Sequence, residues 1–307
     1  MLFTKLFLEY TCHAPQAKLK PANKNNLIRS AFGACLRKHD SEAYECFFQG
    51  LLAEKALNKK NSKLAFFSPE CFESKKQFKN GDKFAFQMSI ICPSLVWSEC
   101  ALALPFLFSE HGFGLSEVRA MYDLKLSAQP KEWPIIMNSL RQRSKDISGF
   151  DFNDLMQNYH NQKAIKELEI QLALPLRLKR GGKLVSSPNF IDILFACYRR
   201  LTHIYKILFL GQNELPQEII NLTKSSFSVF SQAEVKWQNW YRKPDSSRQN
   251  NATQLIPMGG IVGKLEISKN ESPYLNAFLP LLKAGEFLHI GKNITAGNGL
   301  IKIFEKT

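Results

Sequence analysis

Acidic residues are scarce in this chain. Its 307 residues carry 27 Asp and Glu against 41 Lys and Arg, a formal net charge of +14 at pH 7. A surplus of that size repels itself and points to an acidic partner, nucleic acid or an anionic membrane. The ordinary alternative is a basic protein with no such partner. Long hydrophobic runs are missing too. No stretch reaches the ~18–20 apolar residues a membrane span needs. The nearest, Ile191–Leu210, is interrupted by Asp192, Arg199, Arg200, His203 and Lys206. The opening MLFTKLFLEY alternates like a strand, and Glu9 breaks any signal-peptide core. The expectation is a cytoplasmic protein with no membrane partner. The seven cysteines are irregularly spaced, and no C-x-x-C pair exists. That argues against a zinc site and for buried thiols in a reducing compartment.

Nucleotide motifs are also lacking. The stretch HIGKNITAGNGLIKIF (His289–Phe304) sets glycines beside a lysine. A P-loop needs four residues between its first glycine and the Gly-Lys pair, with Ser or Thr after the lysine. Here five residues separate Gly285 from Gly291–Lys292, and Asn293 follows. A P-loop also leads from strand into helix, whereas this stretch leads from helix into strand. G-x-G-x-x-G fails as well, because Leu300, Ile301 and Lys302 follow Gly299. An ATPase or dinucleotide enzyme is therefore not expected. Two readings stay open for the loop: an anion site made of backbone N–H groups, or a tight turn with glycines at positive φ.

What is present is a pattern used twice. Leu2–Tyr10 alternates as a strand. Lys24–Lys38 has Leu27, Ile28, Ala31, Ala34 and Cys35 on one helical face. A further helix over Tyr44–Leu57, strands over Lys63–Phe67 and Asp82–Ile91, and a helix over Pro93–Glu110 follow. The turn HGFG (His111–Gly114) then leads into a strand over Val118–Leu126. The second half repeats the order. Its strand Leu168–Leu178 precedes a helix over Pro188–Leu210. Strands over Glu234–Arg242 and Gln254–Ser268, a helix over Pro273–Lys283 and a last strand over Gly299–Phe304 complete it. The predicted fold is α+β: two tandem ferredoxin-like, RRM-like β-α-β-β-α-β domains, each an antiparallel sheet with helices on one face. The expected boundaries are 1–128, a connection over 129–165, and 166–307. HGFG and the glycine loop occupy matching corners.

Two stretches carry candidate chemistry. In EVKWQNWYRKPDSSRQ, Lys236, Arg242, Lys243 and Arg248 interleave with Trp237, Trp240 and Tyr241. Cations neutralise phosphates and aromatic faces stack on bases. A sheet with core tryptophans and solvated lysines is the competing explanation. In LRKHDSEAY, His39 follows Arg37 and Lys38 at a helix end, where basic residues also complement the helix dipole without any catalysis.

The run from Val235 to Lys302 resembles the C-terminal region of the CRISPR repeat-RNA-processing endoribonucleases of the RAMP superfamily. The matching pieces are VKWQNWYRKPDSSRQ, MGGIVGKLEI and PYLNAFLPLLKAGEFLHIGKNITAGNGLIKI, with weaker ones in LIRSAFGACLRK, GDKFAFQMSII and HGFGLSEVR. Cysteines after the first helix are reduced to Cys46 and Cys71, and Asn298 stands where relatives often have a hydrophobic residue. The resemblance implies an enzyme that binds a CRISPR repeat hairpin, with other subunits of a CRISPR effector complex as further expected partners, and cuts it without a metal or cofactor. A ribose 2′-hydroxyl attacks the adjacent phosphorus and leaves a 2′,3′-cyclic phosphate. Histidine suits the proton transfers, because the free side chain titrates near 6.5. The implied catalytic residues are His39, with Lys38 and Tyr44 assisting; His289 is the alternative and His111 a third choice. The implied RNA contacts are Arg29, Arg37, Lys236, Arg242, Arg248, Lys264 and Lys292, with Gly291, Gly297 and Gly299 of the loop. A non-catalytic RNA-binding RAMP subunit is the rival expectation.

Overall fold

The computed structural model describes residues 2–19, 24–49, 66–92, 100–121, 130–138, 165–208, 221, 231–242, 255–268 and 275–306. The chain divides into two compact units, Met1–Asn158 with Lys206–Asn213, and Tyr159–Tyr205 with Glu214–Thr307.

The first unit is built on strand β1 (Leu2–Cys12), helix α1 (Lys24–His39), and strands β2 (Phe66–Glu70), β3 (Lys83–Cys92), β4 (Phe113–Ala120) and β5 (Ile135–Asn138). The antiparallel sheet runs β2-β3-β1-β4-β5. Its first four strands have the ferredoxin-like order, and β5 extends the edge beside β4. Strand alternation fixes which side is core. Leu6, Leu8 and Tyr10 of β1 are wholly buried, as are Phe84, Met88 and Ile90 of β3. Each such side chain stabilises by roughly 1.5–3 kcal/mol on burial. The Tyr10 hydroxyl donates to the Leu104 carbonyl at 2.8 Å, so this buried phenol is satisfied. Burial pushes its pKa well above the ordinary tyrosine value, with the Cys35 charge adding to the rise. Helix α1 lays Ile28, Phe32 and Leu36 on this core at i, i+4 and i+8.

The second unit repeats the plan with β6 (Glu167–Leu176), α2 (Phe190–Leu208), β7 (Gln232–Gln238), β8 (Gly260–Ser268), α3 (Leu275–Leu288) and β9 (Ile301–Lys306). Its sheet order is β7-β8-β6-β9, again ferredoxin-like. The twofold plan read from the sequence is thus present in both halves. Its core-facing residues include Ile170, Leu172, Leu265, Ile267, Leu279, Leu282 and Ile301. Phe190 of α2 meets Phe278 of α3 edge-on at 5.2 Å.

Some elements differ from their predicted forms. The helix expected over Pro93–Glu110 is helical at 100–103 and then tightens into 3₁₀ turns at Leu104–Phe106 and Ser109–His111, with Pro105 in the first; 93–99 lie outside the described residues. The expected strand Glu234–Arg242 breaks after Gln238. Tyr241–Arg242 instead pairs with Ile256–Pro257. Of the helix expected over Tyr44–Leu57, only the part to Gln49 is described.

Candidate nucleic-acid interface and catalytic cluster

In the first unit, helix α1 ends where Asp40 leaves helical geometry at φ −158°. Asp40 then caps the next short helix, its Oδ1 accepting from the Ala43 amide at 2.9 Å. The break leaves Arg37, Lys38 and His39 exposed on the last turn, at the negative end of the helix dipole. The His39 ring stacks on Phe106 with centroids 4.5 Å apart and planes 14° off parallel. Phe106 is itself 49% exposed. Arg37 lies over the Tyr44 ring, 4.6 Å from its centroid, and donates to the Tyr44 hydroxyl. Lys38 faces Glu110 at 4.0 Å, in a pair that is 69% and 80% exposed and so worth little. The fold thus collects an imidazole, a phenol and two cations around one helix end. Arg29, about two turns further back on α1, stands 5.6 Å from the Phe48 centroid. His111 is exposed beside the HGFG turn and meets Phe108 edge-on.

In the second unit, the glycine loop is a clamp. Gly299 donates to the Pro175 carbonyl at 3.0 Å, Lys292 to the Arg177 carbonyl at 3.1 Å, and Ile290 to the Gly299 carbonyl at 2.9 Å. Gly297 donates to Ile294 at 2.7 Å. The amides of Gly297 and Gly299 are therefore spent within the fold. These two glycines supply geometry: both sit at positive φ, 82° and 81°. Asn298 is fully buried and its side-chain amide donates to the Met258 carbonyl at 2.8 Å, tying the loop to the chain entering β8. This explains a polar residue at a position where a hydrophobic one would only fill space. His289 is fully buried at φ 53°, with Nδ1 3.3 Å from the Asn298 carbonyl oxygen.

The clamp has one consequence at the surface. By fastening residues 291–292 to the end of β6, it sets Lys292 beside the run RLKR (Arg177–Arg180). Together with α2 these segments enclose a cleft of about 680 Å³. Six cationic residues line it: Arg177, Lys179, Arg180, Arg199, Arg200 and Lys292. Its one carboxylate, Asp192, is held by the Arg180 guanidinium. Arg200 donates to the Leu288 carbonyl at the end of α3, and burial lowers its pKa to about 10. Partial desolvation, then the Arg200 charge, lowers the His203 pKa. The six cations set against one engaged carboxylate, rather than these burial-driven shifts, make the cleft favourable to an anion.

The remaining expected contacts lie elsewhere. Lys264 sits between Glu266 at 2.8 Å and Glu234 at 3.4 Å on the open face of the sheet. Lys306 pairs with Glu167 nearby. That face is charge-compensated and offers RNA no net attraction. Lys236 and Trp237 are exposed on edge strand β7, and Arg242 is half-buried. Arg248, like His160, lies outside the described residues. Sequence reasoning did not single out Arg177, Lys179, Arg180, Arg199 or Arg200. The available signal was RLKR directly after a strand, with Arg199, Arg200 and His203 at helical spacing from Phe195.

The residues lining this cleft fall within a recognisable sequence family. Positions 170–301 match the model of the CRISPR-associated endoribonuclease Cas6. Solved structures agree on the fold over the whole chain. A partial Cas6-RT-Cas1–Cas2 complex is matched at TM-score 0.60 and 11% identity, over 99% of this chain and 46% of that one. A Cas6 product complex is matched at TM-score 0.54 and 12% identity, over 99% and 100%. Cas6 of Thermus thermophilus is matched at TM-score 0.53 and 12% identity, over 99% and 98%. The chain therefore spans less than half the length of the first of these relatives. No curated protein matches it. At these identities the structural likeness establishes the tandem ferredoxin-like fold alone, and the similarity to Cas6 in sequence is confined to positions 170–301.

Proposed function

We propose that this protein is a CRISPR endoribonuclease that binds precursor repeat RNA and cuts it into guide-sized pieces. The observation that carries the reading is the cleft: six cationic residues against one engaged carboxylate, inside the Cas6-family segment and shaped by its glycine loop. Such a surface binds phosphates, and the charge surplus of the chain steers RNA to it.

The chemistry we assign to the exposed end of α1. His39 takes the proton of a ribose 2′-hydroxyl as its oxygen forms a bond to the adjacent phosphorus. The bond from phosphorus to the 5′-oxygen breaks, that oxygen receives a proton from water, and the proton held on His39 returns to solvent. The products are a 2′,3′-cyclic phosphate and a 5′-hydroxyl, and the step requires no metal. Arg37 and Lys38 stabilise the charge that develops on the phosphorane. Tyr44, already hydrogen-bonded to Arg37, orients that guanidinium. The burial of His289 favours His39 over it, because a fully buried imidazole meets no substrate unless the loop opens.

The test is cleavage of end-labelled repeat RNA in excess EDTA, with the product ends identified by phosphatase sensitivity. Cleavage persists in EDTA, and His39→Ala lowers the rate by about 10²–10⁴-fold while RNA binding is retained. Loss of cutting under chelation sinks the metal-free step, and a normal rate for His39→Ala removes that residue. Tight binding with no cutting at all identifies a non-catalytic RNA-binding subunit.

A further inference from the structure

A cleft that is both cationic and apolar has a narrower choice of occupant than RNA at large. We propose that the cleft of the second unit takes one unpaired nucleotide, its base against Ile191 and Phe195 and its phosphates between Arg199 and Lys292. The proposal rests on the RNA-binding reading above and says which part of the RNA this cleft holds.

Size is the first argument. A volume of about 680 Å³ lies in the range of pockets that enclose a single small ligand. A stem does not fit that description. Stacked pairs hide their ring faces, and a duplex offers a protein its phosphates and 2′-hydroxyls across a shallow groove.

The lining is the second. Leu178, Ile191, Phe195 and Ile294 give the cleft an apolar wall. Phosphates alone have no use for such a wall, whereas an unstacked base does. Ring and cation also stand together: the Arg199 guanidinium is 6.0 Å from the Phe195 centroid. One nucleotide brings a π-face and a phosphate to such a pair at once.

The rest of the unit supplies the third. In many RRM-like domains a single strand lies on the open sheet face, stacked on aromatic residues. Here that face carries Lys264 between Glu234 and Glu266, and Lys306 on Glu167. With its carboxylates and lysines matched, the face offers a strand no net attraction, which leaves the cleft as the better-charged place for unpaired RNA among the described residues of this unit.

The experiment compares one repeat hairpin in three labelled forms: blunt, with a 5′ single-stranded extension, and with a 3′ extension. Binding is read by fluorescence anisotropy for the wild type, Phe195→Leu and Lys292→Ala, with thermal melts confirming that each variant folds. An extension on one side raises affinity about tenfold. A 2-aminopurine in that extension changes its fluorescence on binding, and both variants shrink the gain over the blunt form. Equal affinity for all three RNAs overturns the proposal. So does an undiminished gain in folded Phe195→Leu and Lys292→Ala proteins. Absence of binding to every form overturns the RNA-binding reading itself, a result separate from loss of the preference.

Discussion

Gly299 shows how one residue can shape a surface it does not belong to. A Cβ placed there would lie 1.8 Å from the Ile290 carbonyl oxygen, at φ +81°. Neither the contact nor the backbone conformation suits another residue. Gly299→Ala is expected to cost about 3 kcal/mol or more, measured by denaturant unfolding. RNA affinity should fall with it, because the loop also carries Lys292. The glycines were legible in the sequence as a turn or an anion site. The structure decides for geometry at Gly297 and Gly299, since their N–H groups are bonded inside the fold. Burial of His289, one of two orientations open in the sequence, is settled only by the fold, because a loop residue at positive φ follows no strand alternation.

At the scale of elements, close packing of α2 on α3 positions the cleft wall. A Cβ at Gly285 would meet the Cys197 Sγ at 2.3 Å. Gly285→Ala is expected to destabilise by about 1–3 kcal/mol, and Cys197→Ala in the same chain to recover part of that, a non-additivity visible in thermal melts. Cys197 is fully buried, and desolvation pushes its thiol pKa well up, so its conduct here is that of a packing residue. The turn before β3 makes a pH-dependent prediction. The Asp82 carboxylate accepts from the Lys75 ammonium at 2.8 Å and from the Lys79 amide at 2.6 Å. The Lys75 hydrogen bond first, and the Lys79 amide second, hold its pKa below the ordinary aspartate value. A depressed folded-state pKa contributes stability that is present above the unfolded value and lost as pH falls through the folded one. Unfolding midpoints of Asp82→Asn should therefore drop less steeply than wild type on the acid side of pH 4 and run parallel to it near neutrality. Periodicity made the regular elements legible: α1, β3 and β6 lie within a few residues of their predicted ends. The 3₁₀ turns around Pro105 and the break after Gln238 were not, because both follow from local contacts that no repeat in the sequence announces.

For the whole molecule, the charge surplus of +14 makes RNA affinity a matter of salt. Log affinity should fall linearly with log salt, with a slope of about −2 or steeper if three or more phosphates are neutralised, and Lys292→Ala should flatten it by about 0.7. A slope near zero would remove the electrostatic reading of the cleft. The sequence by itself determined the duplicated α+β plan, the basic character and the absence of a nucleotide motif, because each is written in short-range spacing or in composition. Only the tertiary structure decided where the charge is effective. Lys264 is read in sequence as a phosphate contact, yet its neighbours Glu234 and Glu266 hold it. Arg177 and Lys292, far apart in the chain, are fastened together by backbone hydrogen bonds from the glycine loop to the end of β6, and α2 carries Arg199 to the same cleft. Charge is counted along a chain, but its field depends on which charges the fold sets side by side.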